Sequence, residues 1–187
     1  SALQSRFINW EDPNSAIYFG DGAGAAVLAK VPSGYGLLAT DIFSDTSAYE
    51  SVRMRGGGSS FPANKRNEDP KIDYYEINGL EVWKQLMRNQ PTSIKNVLGK
   101  VNFQPKDVDL FLFHQANLLL IQYLMAKMKI SKDKTFTNVQ TYGNTADASI
   151  GIVLHDSLDK KIINRYDIVL LSGVGAGFTF GSSILRW

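Results

Sequence analysis

The sequence contains no cysteine, which excludes a disulfide framework, a thiolate metal site and a cysteine nucleophile within these 187 residues. Long apolar runs are also lacking. The densest, Leu118 to Leu120 and Ile168 to Leu171, fall far short of the ~20 apolar residues that a membrane-spanning helix needs. Charge of one sign is scarce as well. Twenty Lys and Arg against 18 Asp and Glu leave a net charge of +2, too little to indicate a nucleic-acid partner. The opening SALQSRFINW has no basic stretch followed by an apolar one, so no secretory leader is expected and a cytoplasmic setting is. There is no HExxH, no clustered carboxylates and no phosphate-binding P-loop, so no metal or cofactor site is expected. Repeats and low-complexity tracts are missing too. What remains is 44% hydrophobic and 20% charged, the balance of one globular unit with a real core.

Hydrophobic patterning gives an outline of the fold. Ala16 to Phe19 and Gly24 to Val31 read as strands around the Gly-rich bend FGDGAG, and Gly36 to Phe43 reads as a third strand after the turn VPSGYG. Residues 44 to 75 contain RGGGSS, two prolines and the charged run NKRNEDPK, the composition of a long surface excursion. Ile77, Leu80, Trp83, Leu86 and Met87 then fall on one helical face, with a kink or restart expected at Pro91 before Ile94, Val97 and Leu98. Downstream the pattern predicts a strand at Val108 to Phe113, a helix at Asn117 to Met128 and a short strand at Phe136 to Val139. A helix at Ser149 to Ile163 and strands at Ile168 to Leu171 and Phe178 to Trp187 complete it. Strand and helix in alternation, closed by two strands, predict a layered α/β fold.

Candidates for chemistry are few. His114 follows the apolar strand DLFLF and precedes a helix, and ligands in α/β sheets gather at the carboxyl ends of strands. Beside Gln115 and Asn117 it suits proton transfer or hydrogen bonding, and it suits a helix-capping or core role equally well. His155, inside an amphipathic helix, reads as a surface or packing residue. Asn144, in Tyr142-Gly143-Asn144-Thr145, is an ordinary turn residue or a side-chain amide that donates to a substrate carbonyl. The loop Gly173 to Gly177 either links two core strands tightly or presents backbone N–H groups to an anion. Neither GVGAG nor GDGAGA has the spacing, or the following helix, of a dinucleotide fingerprint.

Taken in order, FGDGAGAAVL, FHQAN, YGNTADASIG and the terminal GVGAGFTFGSSILRW resemble the 3-oxoacyl-acyl-carrier-protein synthase III family over nearly the whole chain. The resemblance implies a thiolase fold of two similar βαβαβαββ halves stacked as αβαβα layers. Residues 1–33 would then be the tail of the first half and residues 36–187 the complete second half. It implies that the family's nucleophilic Cys lies in the first half, upstream of this sequence, and that this chain alone is inactive. It further implies that His114 and Asn144 hydrogen-bond the malonyl thioester carbonyl during decarboxylation. Ala176 would offer an oxyanion-hole N–H. Gly79 and Asn117 would line the pantetheine tunnel, and Ile77, Val82 and Trp83 would lie near the acyl pocket, with Trp83 bulky for that place.

The implied substrates are acyl-CoA and malonyl-carrier protein, with no bound cofactor, and the implied assembly is a homodimer. The sequence departs from the family at Asp147, where small residues are usual, at Gly151, where Pro is usual, and at Leu119, commonly a basic residue that meets the acidic carrier protein. Lys127, Lys129 and Lys132 offer an alternative basic patch. Two further functions are compatible with the resemblance: an acyltransferase of the same fold in a specialised pathway, and a non-catalytic partner subunit of a heterodimeric condensing enzyme.

Overall fold

The computed structural model describes residues 1–62, 64 and 69–187, so part of the charged run after Pro62 lies outside the described residues. Strand β4 (Leu110–Phe113) has all four residues buried. A strand covered on both faces has no polar side to alternate with, hence the unbroken LFLF. β5 (Ile168–Gly175) lies parallel to β4, and β6 (Thr179–Arg186) runs antiparallel to β5. β1 (Gly36–Ser44) pairs antiparallel with β6, so the sheet order is β1-β6-β5-β4. Beyond β4, Thr135 forms a single parallel bridge with Phe111, and its hydroxyl donates to the Phe111 carbonyl at 2.7 Å. Counting that bridge as a vestigial strand, the chain from Gly36 runs βαβαβαββ, as the resemblance implied.

The two faces of the sheet carry different helices. Helix α2 (Gly79–Lys100) and helix α3 (Leu118–Met128) cover one face, where Leu86, Ile94, Val97, Ile121, Leu124 and Met125 pack with Phe111, Phe113, Leu170 and Ile184. Helix α5 (Ala148–Asp159) covers the other, where Val153 meets Leu110, Leu112 and Val169. Alternate residues of β4 thus serve opposite layers, the period-two geometry of a strand expressed in three dimensions. A buried polar chain crosses the first face. Gln90 Nε2 donates to Ser172 Oγ at 3.0 Å, Ser172 and Ser182 share a hydroxyl bond at 2.9 Å, and Ser93 Oγ donates to Ser182 Oγ at 2.9 Å.

Several local expectations change. α2 runs unbroken through Pro91, which is itself buried, because contacts of the helix with β1, β5 and β6 hold it where proline alone would end it. Ile77 precedes the helix in the short strand β3 (Glu76–Ile77), paired with β2 (Val52–Arg53), and Leu80 is exposed. Residues 16–19 form no strand. A helical turn α1 (Pro13–Ala16), tied by Ala16 N–H to the Asp12 carbonyl at 2.9 Å, comes first, and only Phe19 makes a bridge.

Residues 24–31 form no regular element and have no partner strand among the described residues, and Val27 and Leu28 are almost wholly exposed. The stretch predicted as a strand at 136–139 instead leads into a helical turn, α4 (Val139–Tyr142). Its N–H groups are taken from the sheet by Gln115, whose Oε1 accepts from Asn138 and Val139 at 3.1 and 3.2 Å.

Ile94, fully buried between α2 and the sheet, tests this packing. We expect Ile94→Ala to lower unfolding free energy by about 2–5 kcal/mol, read as a fall in urea midpoint at constant m-value.

Candidate active site

A cavity of about 550 Å³ opens at the carboxyl ends of β4 and β5, within the range of small-molecule sites. It brings together five of the residues that the resemblance associates with the site, Ile77, Val82, His114, Asn144 and Ala176, together with Asp147, one of the departures from the family. Val82 and Leu86 of α2 and Phe19 supply apolar wall.

His114 leaves the sheet where β4 ends. Its N–H still donates to the Ser172 carbonyl at 2.8 Å, extending the parallel ladder by one residue and aiming the imidazole at the cavity. Nδ1 lies 2.6 Å from the hydroxyl of Ser149, in the first turn of α5. The ring keeps a partly accessible edge on the cavity but is otherwise surrounded by protein. That burial pushes its pKa down to about 4, and hydrogen bonding with the Ala146 backbone opposes the shift only in part. His114 is therefore a neutral imidazole near pH 7, a hydrogen-bonding group and not a cation.

Asn144 is fixed by backbone. Its N–H donates to the Tyr18 carbonyl at 2.7 Å, and its carbonyl accepts from Gly20 N–H at 3.0 Å, forming a parallel bridge with the 18–20 segment. This approach requires the glycines on both sides. A Cβ on Gly20 would sit 2.0 Å from the Tyr142 carbonyl oxygen, and Gly143 has φ +67° with a Cβ position 2.9 Å from the Tyr18 oxygen. Asn144 Oδ1 accepts from Ala146 N–H at 3.0 Å, which leaves the NH₂ group as the end of the amide free to donate.

Ala176 lies in the turn between β5 and β6 and is exposed to the cavity. Three residues associated with the site by resemblance are not among those lining the cavity. Gly79 is the first residue of α2. Asn117 is the N-cap of α3 and accepts from Leu119 N–H at 2.9 Å. Trp83 packs edge-on against Tyr123 with ring centroids 4.8 Å apart. His155 is exposed, as its helical position suggested. Ser149 went unremarked in the sequence because a serine early in a helix carries no local sign of what it faces across the fold.

The His114 shift has a pH consequence. The folded pKa of about 4 lies below the ordinary value near 6.5, so between them the unfolded chain binds more protons. The contribution of the neutral ring is complete above pH 6.5 and is lost as pH falls toward 4, up to on the order of 3 kcal/mol. Unfolding titrations at pH 7 and pH 5 should show this loss, and His114→Gln should reduce it.

The chain matches two models of one family. Residues 98–187 match the C-terminal model of 3-oxoacyl-[acyl-carrier-protein] synthase III, and residues 1–46 match the synthase III model that precedes it. Among curated relatives, the beta-ketoacyl-[acyl-carrier-protein] synthase III of Natranaerobius thermophilus is 38% identical over 190 residues, which cover 100% of this chain and 58% of that protein. That of Caldanaerobacter subterraneus subsp. tengcongensis is 36% identical over 183 residues, 98% of this chain and 55% of its own length. The solved synthase III from Thermus thermophilus superposes with a TM-score of 0.88 at 33% identity, covering 98% of this chain and 56% of that one. The Aquifex aeolicus synthase III gives 0.86 at 33% identity, covering 98% and 55%. The chain thus spans little more than half the length of the relatives it matches, with a thiolase-like α/β fold.

Proposed function

The chain belongs to the 3-oxoacyl-acyl-carrier-protein synthase III family, and we propose that it is the C-terminal portion of a decarboxylative condensing enzyme. In this reading residues 1–33 close an N-terminal thiolase-like half, and residues 36–187 are the second half. The nucleophilic Cys is supplied by sequence outside these 187 residues. The Cys sulfur attacks the carbonyl of acyl-CoA, the bond from that carbonyl to the CoA sulfur breaks, and coenzyme A leaves as its thiol with the proton of the Cys. Malonyl-carrier protein then enters, its Cα–carboxylate bond breaks and CO₂ leaves. The electron pair enters the thioester as an enolate, whose Cα attacks the acyl-Cys carbonyl. The Cys thiolate departs, leaving a 3-oxoacyl thioester on the carrier.

The observation that carries this reading is the pairing of His114 and Asn144 on one cavity, with the Asn144 acceptor already occupied and the His114 ring neutral. Two donors without net charge suit an oxygen on which negative charge develops only in the transition state. Ala176, in the β5–β6 turn on the cavity, would add a backbone donor. The cavity's Ile77 and Val82 are candidates for the acyl wall. Gly79 and Asn117 would act behind that wall through the helix starts they occupy, and Trp83 through its contact with Tyr123.

The exposed surface supports association of this chain, with the first half of the fold and with a second copy as the proposed partners. The chain exposes 11,071 Å², where a self-contained protein of its mass exposes roughly 9,000 Å². Val27 and Leu28 lie bare within the excess.

In the whole enzyme, His114→Ala or Asn144→Ala should slow malonyl decarboxylation on the order of 10²–10³-fold and leave acyl loading of the Cys nearly intact. Equal loss in both steps overturns the assigned roles. Acyl transfer without CO₂ release from the whole enzyme would replace condensation by simple transfer, the acyltransferase reading. The purified 187-residue chain should show no condensing turnover, and turnover without an added subunit would show that it holds a complete site.

A further inference from the structure

The donor role just proposed for His114 depends on which ring nitrogen carries the proton, and the hydrogen bonds of Ser149 bear on it. Ser149 is 1% exposed, so its hydroxyl proton needs a protein acceptor. Its oxygen already receives Gln115 N–H at 3.3 Å. Among the described residues, the hydrogen-bond partner left for its own O–H is His114 Nδ1, at 2.6 Å. If Nδ1 carried the proton instead, Ser149 Oγ would accept two bonds and its buried O–H would have none to make. That imbalance costs a full desolvated donor. The chain of donors therefore runs one way: Gln115 N–H to Ser149 Oγ, then Ser149 O–H to His114 Nδ1, with the proton of the ring on Nε2.

The geometry points to Ser149 as the positioning residue that holds His114 in the Nε2–H tautomer, so that the imidazole donates to the substrate thioester oxygen. This assignment rests on the donor role of His114 given above. Gln115 is the second member of the device. Its backbone orients Ser149, while its buried side chain donates to the Phe113 carbonyl at 2.8 Å and accepts from Asn138 and Val139. The end of β4, the start of α5 and the 138–139 segment are thereby tied around one imidazole. Asn144 has the parallel arrangement, its acceptor filled by Ala146 N–H and its donor left over. Each side chain reaches the substrate as a donor because the fold has already occupied its acceptor.

The test is nitrogen NMR on the whole enzyme with ¹⁵N-labelled histidine, His114 being identified by its loss in His114→Gln. The expected wild-type signature at pH 7 is a protonated Nε2 and an unprotonated Nδ1. Ser149→Ala should release the tautomer toward Nδ1–H. It should also lower kcat for malonyl-thioester decarboxylation about 10- to 100-fold, with KM and acyl loading little changed. A protonated Nδ1 in the wild-type enzyme overturns the proposal, as does a Ser149→Ala enzyme that decarboxylates at the wild-type rate. If Ser149→Ala fails to fold, the wild-type tautomer alone decides. A wild-type enzyme that releases no CO₂ would defeat the condensing function and leave the tautomer measurement to rule on Ser149 separately.

Discussion

Two backbone hydrogen bonds, from Asn144 N–H to Tyr18 and from Gly20 N–H to Asn144, fasten the loop before α5 to a segment over a hundred residues earlier. Most of the site depends on that fastening. It sets where Asn144 stands, and through the Ala146 N–H it sets which end of the amide faces the cavity. The same loop leads directly into α5, whose first turn brings Ser149 to His114. The close approach is possible because Gly20 and Gly143 present no side chain at the crossing. Motifs that read as separate glycine-rich stretches in the sequence are thus two sides of one contact.

The electrostatics follow from the same enclosure. A histidine in water is half protonated near pH 6.5. Walled by protein at the end of a fully buried strand, His114 loses its proton and keeps only its hydrogen-bonding capacity. A neutral donor binds a ground-state carbonyl weakly and a developing enolate oxygen more strongly, and that difference is what accelerates a reaction. Under the function proposed above, a protonated ring would hold the ionised malonyl group itself and spend its interaction before the barrier.

The alternation of strand and helix was legible because β4, β5, α3 and α5 carry plain apolar patterns whose burial the structure reproduces. His114 was legible from its place after LFLF, and Asn144 only through the resemblance, since an Asn in a turn looks ordinary. Where local reading failed, a distant partner decided. Gln115 took the N–H groups that would have made residues 136–139 a strand. The sheet beneath α2 held a helix together across Pro91. Residues 24–31 have the composition of a strand, but a strand needs a neighbour to pair with, and none of the described residues provides one. Ser149 could not be found from sequence, because its significance is a single contact made between elements 35 residues apart.

The buried chain from Gln90 through Ser172 and Ser182 to Ser93 has a bearing on how this cavity can be reshaped. Sliding α2 by even one turn along the sheet would strand several of these groups without partners, at about 1–3 kcal/mol for each. The helix is keyed to its register like a bolt in a notched plate. Since α2 forms one wall of the cavity, that wall cannot shift to admit a longer or bulkier guest. The room along this wall is instead set by side-chain volume, at Val82 and Leu86 on the helix and Ile77 just before it. Under the function proposed above, such positions would change one substitution at a time without disturbing the frame, so that chain-length preference could drift while His114 and Asn144 stay put.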